Sequence, residues 1–264
     1  MFASIRRICR IVFVERRLPG RVHQLYFSLL NKLGVRLTTI KLKNGFTIKG
    51  YTHCFFMFYE IWSKKDYDIP GFEFAQNMNV VDIGANQGFF SLYAASKGAT
   101  VYAFEPCTDN FEILKWNVLT NGLEDKVKLF NVAVTREKGT VDLFVGLDEG
   151  GRILSGSVSV RNEDRGGKGV RRQLAESITL NSLLHDLSIE RCDFLKMDCE
   201  GAEYEILEGT SPASFNRIAR TSIECHENRM QEAVSVLKRA GFNIVCAREG
   251  EADILKATNM RAFV

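Results

Sequence analysis

The stretch from Asn79 to Ser91, NVVDIGANQGFFS, constrains this chain more than any other. Val80 and Val81 are β-branched and Asp82-Ile83-Gly84 closes the run, which predicts a short buried strand opening into a glycine turn. A helix should follow at once, because Phe89, Phe90, Leu92, Tyr93 and Ala94 crowd one helical side and Gly88 lets that helix approach the strand. Strand, glycine turn and helix in this order open a nucleotide-binding α/β sheet.

Two chemistries use such turns, and the carboxylate discriminates between them. In a dinucleotide fold the helix N-terminus faces a pyrophosphate, which Asp82 would repel. Gly84 and Gly88 stand four apart with Asn86 between them, which also misses the G-x-G-x-x-G pattern. A ligand carrying a sulfonium and an ammonium, S-adenosylmethionine, is instead attracted by an acid at the strand end. Without a ligand, the same residues make a tight turn with a solvated Asp82. Thr100 to Glu105 reads as the next strand, and Glu105 lies 21 residues beyond Gly84, where a βαβ unit places a carboxylate against ribose hydroxyls.

Strands and helices continue to alternate. Asp109 with Glu112 predicts a capping box for a helix carrying Phe111, Leu114 and Val118 and ended by Gly122. Val127 to Val134 reads as a third strand, extended into a hairpin through Glu137-Lys138-Gly139. Asp193 to Met197 and Ile218 to Glu224 are two more strands, followed by a helix from Arg229 to Ala240 and a final pair, Asn243 to Ala247 and Ile254 to Ala257. This order predicts a Rossmann-like α/β domain: a mostly parallel seven-stranded sheet with an antiparallel edge strand and helices on both faces. Its strand ends carry Asp82, Glu105, Asp198 and Glu224, four acids where such sheets bind ligands.

The remaining segments divide by charge. Residues 1–50 hold eleven Lys or Arg and one acid, Glu15, for +10; the whole chain is +3, so the rest carries 3 minus 10, or −7. Residues 1–21 interleave arginines with Ile5, Ile8, Ile11, Val12, Phe13 and Val14, a basic amphipathic arm suited to an anionic membrane surface or simply to solvent. A hairpin should follow, joined at Asn44-Gly45, so the expected division is a basic helical arm and hairpin over 1–50 and a catalytic domain over 51–264. From Asp148 to Arg172 the pattern dissolves into a glycine-rich run with six basic residues, expected to be a lid over an acidic acceptor or a disordered loop. No run reaches the roughly 20 apolar residues of a membrane span and no signal-peptide centre is visible, so the expected compartment is the cytoplasm, with the arm able to bring the protein to a membrane. Nucleic acid is not an expected partner.

Three motifs carry a resemblance: V-D-I-G-A-N-Q-G at Val81 to Gly88, F-E-P at Phe104 to Pro106, and L-K-M-D-C-E-G-A-E at Leu195 to Glu203. With Asn117, Asn121, T-L-N-S-L at Thr179 to Leu183, and Glu224 before Cys225-His226, the chain resembles the FkbM-type S-adenosylmethionine-dependent methyltransferases from about Glu60 to Phe242. One departure is Asn181, where that family usually has Asp. The resemblance implies that Asp82, Gly84, Ala85, Asn86 and Gly88 surround the methionine half of the cofactor and that Glu105 holds its ribose. It further implies that Asn131 and Ala133 lie at the adenine, and that Asp198 sits beside the methionine end or the acceptor. A hydride-transferring dinucleotide enzyme and a non-catalytic partner-binding module are the rival readings; Asp82 opposes the first and the intact set of acids the second.

D-C-E-G at Asp198 lacks the N/D-P-P-Y clamp of amino-group methyltransferases of nucleic acids, so oxygen is the expected acceptor atom, on a sugar, glycan, lipid-linked or polyketide-type small molecule. A hydroxyl is a weak nucleophile and needs a base. His226 is the candidate, oriented by Glu224, with Asp198 holding acceptor or cofactor. No metal is expected, although Asp198, Glu200, Glu224 and His226 have ligand chemistry. Lys196 shares a strand face with Asp198 and is expected to pair with it internally.

Overall fold

Strand and helix alternate as the periodicity predicts, and the computed structural model describes residues 11–13, 27–30, 32–147, 153–160, 169–248 and 253–263. The chain opens with a three-stranded sheet of β1 (Ile11–Phe13), β2 (Leu37–Leu42) and β3 (Thr47–Tyr51). The hairpin expected at Asn44-Gly45 joins β2 to β3, with Gly45 at φ +94°. Ile11–Phe13 corrects the helical reading of the arm, because its backbone pairs in parallel with Ile40–Leu42. Most of residues 1–21 lie outside the described residues.

An aromatic segment follows, with α1 (Phe55–Tyr59) running into a π-turn at Glu60–Lys64. The next units are β4 (Asn79–Ile83), α2 (Phe89–Ser96), β5 (Thr100–Phe104), α3 (Thr108–Thr120) and β6 (Val127–Phe130). Then come β7 (Ala133–Val134), β8 (Gly139–Leu147), β9 (Ile153–Ser159), β10 (Gly169–Ile178) and α4 (Leu180–Asp186). The chain continues through β11 (Phe194–Met197), α5 (Glu203–Gly209), α6 (Pro212–Arg217), β12 (Arg220–Glu224), α7 (Met230–Arg239), β13 (Phe242–Arg248) and β14 (Ile254–Asn259).

The main sheet has the order β13-β14-β12-β11-β4-β5-β6. Every neighbouring pair from β6 to β12 is parallel, and β14 runs antiparallel to both β12 and β13. The antiparallel strand is therefore inserted beside the edge and does not form it. Strand order reverses between β4 and β11, which opens a crevice at their carboxyl ends.

Alternation sends neighbouring residues to opposite cores: Val80 and Phe194, paired across β4 and β11, join one cluster, while Val81 and Leu195 join the other. Helix α2 departs from the one-sided pattern. Seven of its eight residues are buried, because the N-terminal hairpin and aromatic segment cover the side that would otherwise meet solvent. Ile40 and Ile48 belong to the same cluster as Leu92 and Val101, so one core runs across the boundary expected at residue 50. Asn117 of α3 and Asn121 at its C-cap clamp the hairpin: Lys49 N–H donates to Asn117 Oδ1 at 2.7 Å and Thr47 N–H to Asn121 Oδ1 at 2.7 Å.

A second sheet, in the order β7-β10-β8-β9, corrects two expectations. Residues 133–134 do not form a hairpin with 139–147, because β10 lies between them, parallel to β7 and antiparallel to β8. Much of the glycine-rich run expected to be a lid or loop is strand, since β8 offers ladder partners to both β9 and β10. Arg171 and Arg172 pair with Asp109 and Asp142. That first contact also replaces the capping box expected of Asp109; α3 is preceded by Cys107, which makes no side-chain cap.

Candidate active site

The turn after β4 is built by backbone contacts. Gly84 and Ala85 N–H groups both donate to Phe104 O, at 3.0 and 2.9 Å, which locks the turn onto β5. Gly84 has φ +74°, and a Cβ there would lie 1.7 Å from Asp198 O, so only glycine lets the ends of β4 and β11 close together. Gly88, at φ +84°, serves packing: its Cβ would strike Leu114 at 2.4 Å. Asn86 stands left-handed at φ 51°, and its N–H donates to Glu105 Oε2 at 2.8 Å. Cys107 N–H fills Glu105 Oε1 at 2.9 Å. Burial pushes the Glu105 carboxyl up to about 7 against the pull of these two amides.

A cavity lies over this turn. Gly84, Asn86, Glu105, Ala133 and Asp198, all expected around the cofactor, line it. Its far wall is apolar and comes from the second sheet, through Leu143, Ile153, Val158 and Val160. The segment expected to cover an acceptor thus walls the cavity at the cofactor turn. Ala85, Gly88 and Asn131 do not line it; Asn131 Nδ2 donates to Glu105 O at 2.8 Å. Asn110, which sequence reasoning passed over as an ordinary helical residue, also lines it.

Asp82 has a different place from the one expected. Parallel register sets Lys196 beside it, and alternation turns both side chains to the same buried side. Asp82 is fully buried, accepts from Ser91 Oγ at 2.6 Å, and lies 3.3 Å from Lys196 Nζ. It therefore acts on the turn indirectly: Lys196 Nζ also donates to Gly84 O at 2.8 Å and lies 3.5 Å from Asp198 Oδ2. Burial alone would lower the Lys196 pKa, but the charges of Asp82, Asp198 and Glu224 hold it raised.

A second cavity adjoins the first, sharing Met57, Asp198 and Glu200 with it. Glu60, Asp66 and Glu224 line it with Tyr67, Phe56, Ile61 and Ile254. Tyr67, another residue missed from the sequence, is the junction: its hydroxyl lies 2.6 Å from Glu224 Oε2 and 3.1 Å from Asp198 Oδ2. One phenolic proton serves one carboxylate at a time, so the two acids remain in partial conflict. The charge of Asp198, and then burial, raise the Glu224 carboxyl to about 7.

His226 stands beside this pair but is oriented by a different acid from the one expected. Its Nδ1 bonds Glu203 Oε1 at 3.0 Å, while Nε2 faces Glu200 Oε2 at 3.5 Å and Asp198 Oδ1 at 3.9 Å. Glu224 instead faces Tyr67. Glu203 is fully buried and also accepts from Cys199 N–H at 2.8 Å and Gly201 N–H at 2.9 Å, which closes the loop after β11. Burial alone would push the His226 pKa down, but the bond to Glu203 and the charges of Glu203, Glu200 and Asp198 carry it up to about 10. At neutral pH the ring is an imidazolium. Among the described residues, Asp198, Glu224 and His226 can each bring one ligand atom within 4.8 Å of the others, a spacing compatible with a metal ion.

The chain is 27% identical over 242 residues to the 31-O-demethyl-FK506 methyltransferase FkbM of Streptomyces tacrolimicus, covering 80% of this chain and 91% of that protein. It is 29% identical over 215 residues to the methyltransferase sdnD of Sordaria araneosa, covering 72% of this chain and 82% of that one. A crystal structure of a methyltransferase FkbM from Methylobacillus flagellatus KT superposes with a TM-score of 0.49 at 14% identity, over 76% of this chain and 47% of that one. No helix among the described residues is long and apolar enough to cross a membrane. The methyltransferase FkbM domain matches residues 82–244, more than half of the sequence, and the chain belongs to that family of S-adenosylmethionine-dependent methyltransferases.

Proposed function

We propose that this enzyme methylates a hydroxyl oxygen of a small molecule held in the second cavity, with Glu224 as the base. The observation that carries the reading is the Tyr67 hydroxyl between Asp198 and Glu224, at the place where the two cavities meet. A base works best when its pKa is near the working pH, and Glu224, at about 7, meets that condition where His226, at about 10, does not. In the transfer, Glu224 accepts the hydroxyl proton as the acceptor oxygen forms its bond to the methyl carbon and the sulfonium leaves with the electron pair of the breaking S–C bond. S-adenosylhomocysteine and the methyl ether are the products. Because the sulfonium is a good leaving group, Asp198 and Tyr67 have mainly to position the oxygen in line and keep water out. His226, as imidazolium, steadies Asp198 and Glu200 from behind.

In this reading Gly84, Ala85, Asn86 and Gly88 shape the bed of the methionine half, Glu105 takes ribose hydroxyls, and Ala133, backed by Asn131, meets the adenine. Asp198 serves the ammonium end or the acceptor. Asp82 contributes through Lys196 and the Gly84 carbonyl. No metal takes part. Oxygen as the acceptor is supported by the name of the Streptomyces relative, which methylates a 31-O-demethyl compound. Sugar, glycan, lipid-linked and polyketide-type hydroxyls all fit this chemistry; an anionic acceptor does not, since Glu60, Asp66, Glu200 and Glu224 line the cavity.

Incubation with methyl-deuterated cofactor and a panel of glycosides, macrolides and phenols, followed by mass spectrometry, tests the reading. Deuterated methyl ethers support it, and label found only on nitrogen or carbon overturns it. The basic residues of 1–21 further suggest recruitment to an anionic membrane, at about 1 kcal/mol per Lys or Arg near the surface. Co-sedimentation with phosphatidylserine vesicles should then fall on removal of that segment, and equal recovery with neutral vesicles would refute it.

A further inference from the structure

Strand β3 lies at the edge of the N-terminal three-stranded sheet, so its main-chain groups on the side away from β2 need other partners. Three side-chain amides supply them, at the two-residue spacing of a strand. Thr47 N–H donates to Asn121 Oδ1 at 2.7 Å and Thr47 O accepts from Asn121 Nδ2 at 2.8 Å. Lys49 makes the same pair of bonds with Asn117, at 2.7 and 2.8 Å, and Tyr51 N–H donates to Gln87 Oε1 at 2.8 Å. The first two rungs stand on α3 and its C-cap, but the third stands on the turn between β4 and α2. Asn117 joins these supports, because its Nδ2 also donates to Gln87 O at 2.8 Å.

Gln87 is 1% exposed and lines the first cavity, and its Nε2 is engaged as well, donating to Cys54 Sγ at 3.1 Å. It stands between two left-handed residues, Asn86 at φ 51° and Gly88 at φ 84°. A non-glycine residue keeps such a backbone only where its surroundings enforce it, and the hairpin is part of those surroundings. The fit is close: a Cβ on Gly50 would lie 2.7 Å from Phe89 Cζ and 2.8 Å from Gln87 Oε1. We propose that Gln87 is a positioning residue for S-adenosylmethionine, through which the hairpin fixes the Asn86-Gln87-Gly88 bend. Residues 47–51, outside the matched family domain, thereby set part of the cofactor affinity. This rests on the first cavity being the cofactor site. The same bend aims the Asn86 amide at Glu105, so a loosened Gln87 frees the loop to turn away from that acid. The coupling is reciprocal: cofactor in the cavity steadies the hairpin by as much as the hairpin favours binding.

Calorimetric titration of the full-length enzyme with S-adenosylhomocysteine, together with amide hydrogen exchange at Thr47 and Lys49, tests this. Gln87→Met should weaken the ligand roughly tenfold at unchanged stoichiometry, the effect of a lost hydrogen bond that leaves the Tyr51 amide buried. Gly50→Ala, which alters no group of the cavity, should weaken it in the same direction by wedging the hairpin from the turn. The Thr47 and Lys49 amides bond to asparagines and not to Gln87, so their exchange should slow when ligand binds the wild type and stay unchanged in Gln87→Met. A purely structural role would lower the melting midpoint and the stoichiometry while leaving affinity and ligand-dependent exchange as they are, and that result overturns the proposal. Weaker binding in Gln87→Met, with Gly50→Ala unaffected and exchange indifferent to ligand in the wild type, would mean that Gln87 touches the cofactor itself, and the relay fails. If Glu105→Gln also leaves affinity unchanged, the cofactor lies elsewhere and the placement beneath the proposal is what has failed. Should Gln87→Met not fold, Gly50→Ala and the wild-type exchange decide the matter alone.

Discussion

The two cavities that meet at Asp198 are built by opposite means. Around the first cavity the acid is held by the main chain: Glu105 takes the amides of Asn86 and Cys107, and the turn carrying Asn86 is tied to Phe104 O. Around the second cavity the acids are held by other side chains, through Tyr67, Lys196, His226 and Glu203. Main-chain donors do not titrate and persist through every substitution except proline, so the first half is a fixed mould. The second is a set of mutually dependent charges whose states move together, which suits proton transfer and makes it fragile.

Lys196 gives the harshest way to break that contrast. Lys196→Met leaves Asp82 buried without a cation and should lower stability by about 3–5 kcal/mol, read by urea denaturation. Adding Asp82→Asn should recover part of the loss; no recovery would show that the Lys196 contacts to Asp198 and Gly84 matter more than the ion pair. Glu224→Gln comes next. It should reduce kcat by roughly 10²–10⁴ without changing affinity for S-adenosylhomocysteine, whereas His226→Gln should cost less. A larger loss at His226 would return the role of base to the histidine.

The third test moves to the moulded half, where Glu105→Gln should weaken S-adenosylhomocysteine by about 1.5–3 kcal/mol with little change in kcat at saturation. A smaller effect follows from pH. The folded Glu105 pKa is raised from its ordinary 4.5 to about 7, so the ionised form is the disfavoured one. Its burial is cost-free below pH 4.5 and opposes folding increasingly up to about 7, while ribose hydroxyls demand the anion. Cofactor affinity should accordingly fall as pH drops below about 7, by up to tenfold per unit, and Glu105→Gln should flatten that profile. Last and smallest, exhaustive chelation should leave turnover unchanged. A loss restored by magnesium or manganese would show that Asp198, Glu224 and His226 act as ligands after all.

How far the site could be read from the residues follows the same division. Gly84, Asn86 and Glu105 were legible because a glycine turn and the strand before it are local in sequence, and alternating strand and helix dictate that such a turn lies at the carboxyl end of a parallel sheet. The inner position of β14 and the strands of the second sheet were not, because a ladder partner such as β10 lies some thirty residues from β8 and glycine-rich sequence hides its pairing. The same limit misplaced the side chains at the site.

The sequence by itself determined the family, the cofactor, the succession of strands and helices and the four acids at the strand ends, since each is written in a short motif or in the periodicity of neighbouring residues. Tertiary structure decided what those acids do. Parallel register paired Asp82 with Lys196 in the buried layer; the packing of the aromatic segment brought Tyr67 from 131 and 157 residues away onto Asp198 and Glu224. Closure of the loop after β11 gave His226 to Glu203. A carboxylate's pKa and its role depend on which charges and donors lie within a few ångströms, and that set is assembled only when distant segments pack.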